Sequence, residues 1–319
     1  MKNKDVAAWN RRQMLSSVAK TAASGVAVAM ASWKTLLGED AALPKFKYAM
    51  CNELYGDCPF DEAFARMAQC GYTGVEIAPF TLAPHAGQIS ARRRADVRRL
   101  AASNGLEIVG LHLLLAKTEG FHLTAADAAV RRKTADYLGE LARLCADLGG
   151  RLMMLGSPNQ RNLAPGMSKA EGMRNAAEVL QAAAPALEAA EVTIALEPLP
   201  TKEANFVTTA AEGVELMELV GSPRVRLNLD CKSMSAETTP IPTLIHRYRK
   251  EMVHFHANDP NRQGPGFGKL DFVPVLKALA DIHYRGWVSV EVLDDSSGAE
   301  RLSRESIRYL KKCAALAAK

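Results

Sequence analysis

The chain has 319 residues, of which 48% are hydrophobic and 24% are charged, a composition typical of a globular protein. It contains no uninterrupted apolar run of about 18 residues or more, which argues against several membrane spans. Its six cysteines are scattered, with neither a CxxC pair nor the Cys/His spacing of a zinc site, so we expect buried free thiols.

Residues 1–31 have the features of an export signal. A basic segment with the Arg11-Arg12 pair precedes a weakly apolar stretch at 18–29, and Ala29-Met30-Ala31 has the small-x-small pattern of a cleavage site. This order predicts a twin-arginine-type signal peptide and a periplasmic protein, or a cytoplasmic one if the signal is not functional. The segment carries five basic residues and one acidic residue, a net +4, so the remaining chain carries +1 of the total +5. That near-neutral body argues against a nucleic-acid partner.

After a linker at 32–44, residues 45–319 alternate short apolar runs with amphipathic segments and end in a C-terminal helix. Eight such runs in one chain predict an α/β fold, a single-domain (β/α)8 TIM barrel. An open doubly wound sheet is the alternative, but no GxGxxG follows the first run, so the usual dinucleotide-binding signature is missing. The predicted strands are 46–51, 74–78, 107–113, 151–155, 192–196, 225–229, 252–256 and 286–292.

Helix boundaries are visible in the polar residues that precede the amphipathic segments. We expect Ser90 to cap a helix at 91–103 and Thr124 to cap a long helix at 125–147. Ser168, Thr208 and Asp271 are further predicted N-caps.

The predicted strands five to eight each end in a residue that can bind a metal ion. These residues are Glu197, Asp230, His256 and Glu291. The carboxyl ends of barrel strands meet at one mouth, where three converging carboxylates would repel one another strongly. A divalent cation resolves this repulsion, and oxygen ligands with one imidazole suit Mn²⁺, Mg²⁺ or Co²⁺, with Zn²⁺ as an alternative.

These strand ends resemble those of the xylose-isomerase-like TIM barrels, and in particular the sugar isomerases and epimerases such as ketose 3-epimerases and hydroxypyruvate isomerases. The motifs that carry the resemblance are Glu197-Pro198-Leu199, Leu229-Asp230, His254-Phe255-His256 and Val290-Glu291. The resemblance implies that Glu197, Asp230, His256 and Glu291 hold one divalent metal ion. Barrels of this kind are often dimers or tetramers, so the resemblance allows a homo-oligomer but leaves the oligomeric state open.

The resemblance implies a metal-dependent sugar isomerase or epimerase that removes a proton next to a carbonyl and forms an enediolate. Glu197 and Glu291 would be the catalytic acid and base. Glu203 and Arg262 match substrate-binding positions of the epimerases, and His112 is a further candidate substrate contact. Ser233 stands where the epimerases carry a histidine, so the neighbouring Lys232 or His112 is a candidate replacement.

Several other polar residues have more than one interpretation. We expect His254 to support the metal site from behind rather than to bind the ion. Glu53 and Glu76 either line the mouth or form structural pairs. Arg161, in the polar loop after the fourth run, either contacts sugar hydroxyls or a phosphate, or is simply solvated.

Other functions on the same fold are a lyase that acts on 3-keto glycosides, a non-catalytic sugar-binding barrel and a DNA-repair endonuclease. The endonucleases need additional histidine and aspartate ligands for three zinc ions. Ser233 and Val273 occupy positions where those ligands would be expected, which argues against an endonuclease. A small sugar is therefore the expected partner, and no membrane span is expected in the mature chain.

Overall fold

The computed structural model describes residues 45–319. The predicted signal peptide at 1–31 and the linker at 32–44 lie outside these residues, so both stay predictions. None of the helices within 45–319 is long and apolar enough to cross a membrane.

Eight parallel strands form one closed barrel in chain order, and the last strand pairs with the first. This confirms the predicted TIM barrel. The strands are β1 (Lys47–Cys51), β2 (Gly74–Ile77), β3 (Glu107–Leu111), β4 (Leu152–Leu155), β5 (Thr193–Leu196), β6 (Val225–Asp230), β7 (Met252–Ala257) and β8 (Trp287–Val290).

Helices surround the barrel and bury their apolar faces against the strands. They are α1 (Phe60–Cys70), α2 (Ala91–Ser103), α3 (Ala128–Leu148), α4 (Lys169–Ala190), α5 (Ala210–Val220), the short α6 (Cys231–Met234), α7 (Ile241–Arg247), α8 (Phe272–Asp281) and the C-terminal α9 (Ala299–Ala317).

Three of the five predicted N-caps are confirmed. The side chains of Ser90, Ser168 and Asp271 accept backbone hydrogen bonds at the starts of α2, α4 and α8. The Thr124 prediction is wrong, because the helix begins at Ala128 and Asp127 caps it. The Thr124 hydroxyl instead contacts the carbonyl oxygens of residues 161 and 162, in the loop after β4.

The predicted cap at Thr208 is also wrong, by one residue. The side chain of Thr209 accepts the hydrogen bond from the backbone of Glu212. The carboxylate of Glu212 accepts hydrogen bonds from the backbone and hydroxyl of Thr208. Thr209 therefore caps the helix, whereas Thr208 binds the carboxylate of Glu212 in the first turn.

The strand order places the carboxyl ends of β5 to β8 side by side. Asp230 pairs in register with His256, and His256 pairs with Ser289. Because alternate residues of a strand point to the same face, the polar residues of these ends project into the barrel mouth in adjacent positions. The fold thus gathers the predicted metal ligands at the end of the barrel where active sites of this architecture lie.

Candidate metal centre

The structure brings the four predicted metal ligands together. One ligand atom of each of Glu197, Asp230, His256 and Glu291 lies within 4.8 Å of the others. All four side chains are buried, with at most 4% of each residue exposed. Glu197 and Glu291 directly follow β5 and β8, Asp230 ends β6, and His256 lies near the end of β7.

The imidazole of His256 is oriented by a carboxylate behind it. Its Nε2 lies 3.2 Å from Oε2 of Glu76, a residue of β2 that is completely buried. Its Nδ1 therefore faces the cluster, 3.7 Å from Oε2 of both Glu197 and Glu291 and 4.0 Å from Oδ2 of Asp230. A carboxylate that fixes one ring nitrogen while the other faces the ion is a common support for metal-binding histidines.

His254 lies behind the cluster, as expected from its position two residues before His256. Its Nε2 is 2.7 Å from Oε1 of Glu76, so the single carboxylate of Glu76 contacts both histidines. The charges of His254 and His256 outweigh the effect of burial, which raises the pKa of Glu76, and hold that pKa well below its ordinary value. Of the two interpretations left open for Glu76, the structure supports pairing within the barrel.

Two buried asparagines that the sequence analysis did not select hold the carboxylates in place. Asn258 Nδ2 donates to Oδ2 of Asp230 at 2.6 Å and to Oε2 of Glu291 at 3.0 Å. Asn228 Nδ2 donates to Oε2 of Glu197 at 3.2 Å. Each asparagine lies two residues from a predicted ligand, so the alternation of side chains along a strand was a signal that could have identified both.

The charges in this cluster favour a bound cation. Burial, followed by repulsion from Glu291 and Asp230, raises the pKa of Glu197 to about 8. Burial also raises the pKa of Asp230. Three carboxylates with one imidazole nitrogen facing them fit a divalent ion that prefers oxygen ligands. The residues present therefore match the predicted metal site in number, type and orientation.

A cavity of about 360 Å³ lies against this cluster, and all three predicted substrate-binding residues line it. Glu203, Arg262 and His112 share its wall with Glu197, His256 and Glu291. Arg262 has a positive φ of 72°, a backbone conformation that residues other than glycine rarely adopt and that is often found at functional sites. The roles of these three residues as substrate contacts stay predictions.

His112 lies between two carboxylates. Its Nε2 is at an ion-pair distance of 2.7 Å from Oε2 of Glu53, and its Nδ1 is 3.9 Å from Oε1 of Glu291. Burial lowers the pKa of His112, but the charge of Glu53 and the contact with Glu291 outweigh burial and raise the pKa to about 10. Glu53 therefore pairs with a residue of the cavity wall.

The sequence profile of the xylose isomerase-like TIM barrel family matches residues 64–313. This chain belongs to that family. The resemblance inferred from the strand ends is thus confirmed, over most of the barrel.

Curated proteins similar to this chain include sugar epimerases. The L-ribulose 3-epimerase of Mesorhizobium japonicum is 29% identical over 187 residues, which cover 58% of this chain and 62% of that protein. The D-psicose 3-epimerase of Agrobacterium fabrum is 28% identical over 244 residues, which cover 75% of this chain and 81% of that protein. Both are enzymes of the carbohydrate isomerase class.

Solved structures of this family share the fold. A D-psicose 3-epimerase from Clostridium cellulolyticum, determined with D-tagatose, gives a TM-score of 0.74 at 21% identity and covers 84% of this chain and 99% of that chain. A 3-keto-D-glucoside 4-epimerase from E. coli gives a TM-score of 0.74 at 19% identity and covers 84% of this chain and 100% of that chain. At these sequence identities, the two structures support the fold of this chain and not its substrate or activity.

Lys232 directly precedes Ser233, the position at which the epimerases carry a histidine. Its Nζ donates to both carboxylate oxygens of Glu203, at 2.9 and 2.8 Å. Ser233 is used differently, because its backbone N–H donates to Oδ1 of Asp230 at 2.7 Å. Both Lys232 and Glu203 line the cavity, so the polar contact at this side of the site is an ion pair.

Arg161 does not contact the cavity, and both interpretations of it from the sequence are wrong. Its side chain is completely buried, and its Nη1 donates to the carbonyl oxygens of Gly156 at 2.9 Å and Glu197 at 2.7 Å. The loop after β4 folds back so that Arg161 satisfies carbonyl groups at the ends of β4 and β5. Arg161 thus fixes the backbone that carries Glu197.

Replacing Arg161 by methionine is expected to lower the free energy of unfolding by about 3 kcal/mol, because two buried carbonyl groups lose a charged donor. We also expect metal affinity to fall roughly tenfold, since Glu197 loses its backbone support. Thermal unfolding and metal titration measure both effects. Arg151→Met is the matched control, because Arg151 is exposed and pairs with exposed Glu191. Equal effects of the two substitutions would contradict this role of Arg161.

Without a bound cation, the protein is expected to lose stability as the pH rises from 7 to 9. His112 has a pKa of about 10 in the fold against an ordinary value of 6.5, and burial raises the pKa of Glu197 to about 8. Carboxylates around His256 outweigh its burial and hold its pKa well above the ordinary value. The folded state therefore keeps protons that the unfolded chain has already lost.

The free energy of unfolding that these groups contribute is present at lower pH and falls as the pH rises. It falls by about 1.4 kcal/mol per pH unit for each proton that the folded state holds and the unfolded chain has lost. The measurement is the Tm at pH 7, 8 and 9 in a chelator, repeated with Mn²⁺. Because the ion replaces protons in the cluster, Mn²⁺ should flatten the dependence. A Tm that does not change between pH 7 and 9 in the chelator would contradict this account of the cluster.

Proposed function

We propose that this chain is a divalent-metal-dependent ketose epimerase that inverts a carbon next to a carbonyl by removing and returning a proton. The observation that carries the proposal is the pair of glutamates, Glu197 and Glu291, at one cavity together with Asp230 and His256. Sugar epimerases among the similar proteins support the same reaction class. Isomerisation between adjacent carbons begins with the same proton removal.

The residues of the cluster fit one divalent ion, held by Glu197, Asp230, His256 and Glu291. Mn²⁺, Mg²⁺ or Co²⁺ matches this ligand set best. When bound, the ion supplies Lewis acidity that makes the neighbouring C–H bond of the sugar more acidic.

Both glutamates direct one carboxylate oxygen at the imidazole of His256, and Glu291 also has an oxygen on the side of His112. Oε2 of both residues faces His256, whereas Oε1 of Glu291 faces His112. Glu197 and Glu291 follow β5 and β8, so they reach the cavity from well-separated positions around the barrel. One carboxylate can therefore remove a proton from one face of the sugar while the other returns a proton to the opposite face.

The remaining polar groups of the cavity would hold the sugar. Glu203 and Arg262 offer an acceptor and a donor to hydroxyl groups, and Lys232 keeps the Glu203 carboxylate in place. His112 lies beside Oε1 of Glu291, where it orients the carboxylate and faces the substrate. These contacts would fix which carbon of the sugar lies between the two bases.

Exchange of solvent deuterium into the substrate tests the proposal. The chain is stripped of metal, reloaded with Mn²⁺, Mg²⁺ or Co²⁺, and incubated in D₂O with a panel of ketoses, aldoses and 3-keto glycosides. We expect metal-dependent deuterium at the carbon beside the carbonyl, together with formation of the epimer, both detected by NMR. Formation of an unsaturated product would instead indicate a lyase. Binding without exchange, with the metal content verified, would indicate a sugar-binding barrel.

A further inference from the structure

A second and larger cavity lies next to the one at the metal centre. Its volume is about 850 Å³, against about 360 Å³ for the metal-site cavity. Small-molecule sites span about 300–1,000 Å³, so the first is near the small end of that range and the second has room for a larger group. The proposed epimerase chemistry uses none of the second volume.

The two cavities are neighbours. Lys117 lines both of them. Glu53 lines the larger cavity and lies 2.7 Å from His112, which lines the metal-site cavity. The two cavities therefore adjoin at Lys117 and at the Glu53–His112 pair, and a substrate that spans both would pass Lys117.

The lining of the larger cavity suits a neutral, hydroxyl-rich group. Phe60 and Phe80 contribute aromatic rings, and charged side chains of both signs lie around them. Lys117 Nζ is 4.2 Å from the ring centroid of Phe80, and the Arg93 guanidinium carbon is 5.4 Å from that of Phe60. Carboxylates accept from sugar hydroxyls, cations donate to them, and aromatic rings pack on the apolar faces of sugars. The charged side chains are Glu53, Asp57, Asp61, Arg93 and Lys117.

The balance of these charges argues against an anionic occupant. Three acidic and two basic side chains line the cavity, so its net charge does not favour a phosphate or a carboxylate. A neutral sugar residue therefore fits the charges of this cavity better than a phosphate group does.

The segment that separates the cavities is held in an unusual backbone conformation. Leu113 and Lys117 have positive φ values of 50° and 57°, and both line the metal-site cavity. Between them, Leu114 and Leu115 are completely buried and anchor the turn. Strained residues of this kind persist when the surrounding structure holds them, and they cluster at ligand sites. The fold thus fixes Lys117 at the junction of the two cavities.

We propose that the substrate is a ketosugar with a second sugar residue attached, and that this second residue binds in the larger cavity. The inference rests on the proposed function, since the keto-bearing residue is placed at the metal centre. Phe80 packs against the second residue, and Lys117 contacts the substrate at the junction.

Binding and turnover of matched one-residue and two-residue sugars test the proposal. The probes are D-fructose against maltulose and isomaltulose, and methyl 3-oxo-α-D-glucopyranoside against maltose oxidised at C3 of its non-reducing residue. Isothermal titration calorimetry with the Mn²⁺-loaded chain gives Kd, and deuterium exchange gives turnover.

The variants are Phe80→Ala, the ring-retaining Phe80→Tyr, and Phe46→Ala. Phe46 is a matched control because it is a half-buried phenylalanine just before β1, at the opposite end of the barrel.

In at least one pair, we expect the two-residue sugar to bind at least tenfold more tightly than its one-residue partner. Phe80→Ala should remove most of that gain while leaving the Kd of the one-residue sugar within twofold, and Phe80→Tyr should retain the gain. Phe46→Ala should change neither value. Unfolding temperatures of the variants separate a lost contact from a lost fold.

The inference is overturned if no two-residue sugar binds more tightly than its partner, or if the gain survives Phe80→Ala. Exchange of one-residue sugars with no such gain would leave the proposed epimerase function standing and reject the second cavity as a subsite. A gain that depends on Phe80, without exchange in either sugar, would support the subsite and reject the epimerase function.

Discussion

Replacing Glu291 by glutamine is expected to reduce the interconversion of two epimeric ketoses by about 10²- to 10⁴-fold, the usual contribution of a general acid–base group. Glutamine keeps an oxygen that can face a metal ion, but it cannot carry a proton between substrate and solvent. Burial raises the pKa of Glu291, yet the positive charge of His256 and the contact with His112 outweigh burial and lower the pKa to about 2. The native side chain is therefore an ionised base throughout the neutral range.

The same substitution at Glu197 distinguishes a two-base mechanism from a one-base mechanism. If the glutamates serve opposite faces of the sugar, both variants lose interconversion, but each retains deuterium exchange with one epimer only. The epimer that still exchanges should differ between Glu291→Gln and Glu197→Gln. The measurement is NMR of each pure epimer in D₂O with the metal content of each variant determined.

Glu188→Gln is the control for these two substitutions, because Glu188 lies exposed on α4. It should leave both interconversion and exchange unchanged. Loss of exchange with the same epimer in both glutamate variants would show that only one base acts. Interconversion at the wild-type rate in Glu291→Gln, with metal bound, would reject the proposed mechanism.

The barrel could be predicted from the sequence because its signal is repeated eight times. Each strand contributes a short apolar run, so an error at one boundary does not change the count. The ends of the strands could be predicted less accurately than their number, and the third strand shows why. The predicted run continued to Leu113, but β3 ends at Leu111, because His112 faces the carboxylates of the mouth and Leu113 has a positive φ. An apolar pattern does not reveal where a site bends the backbone.

The four metal ligands could also be predicted, because each one stands at the end of a predicted strand and the strands follow one another around the barrel in chain order. Residues that support the cluster from other strands were harder to identify. Glu76 lies 178 residues before His254 in the chain, and only closure of the barrel brings the two within 2.7 Å. Arg161 was predicted incorrectly for a different reason. It belongs to a polar loop and would be expected in solvent, but it is buried and donates to backbone carbonyls. Such contacts depend on three-dimensional packing that no local pattern encodes.

Replacing Lys232 by methionine is expected to change stability and metal affinity in opposite directions. The Lys232 side chain is 5% exposed, and its ammonium group donates to both oxygens of Glu203. Its removal leaves a largely buried carboxylate without its charged donor, so the free energy of unfolding should fall by about 2 kcal/mol. The sugar contact at Glu203 should loosen as well, and we expect KM to rise roughly tenfold.

Metal affinity should rise, because Lys232 adds positive charge beside the cluster. Burial lowers the pKa of Lys232, but the charges of Asp230, Glu291 and Glu197 outweigh burial and raise it. The same attraction that holds the ammonium group opposes a divalent ion, so removing it should tighten metal binding about tenfold. Metal titration by calorimetry, with Tm and steady-state kinetics, measures the three effects together.

Lys169→Met is the matched control, since Lys169 forms a comparable ion pair with Glu212 at 2.7 Å on the outer helices. That pair is more exposed, with 49% of the lysine side chain accessible, so its loss should change stability by less than about 1 kcal/mol. It should leave metal affinity and KM unchanged. Weaker metal binding in Lys232→Met would contradict the electrostatic argument, because it would show that Lys232 only maintains the shape of the site. Tighter metal binding with a raised KM would identify Lys232 as the group that balances charge between ion and sugar.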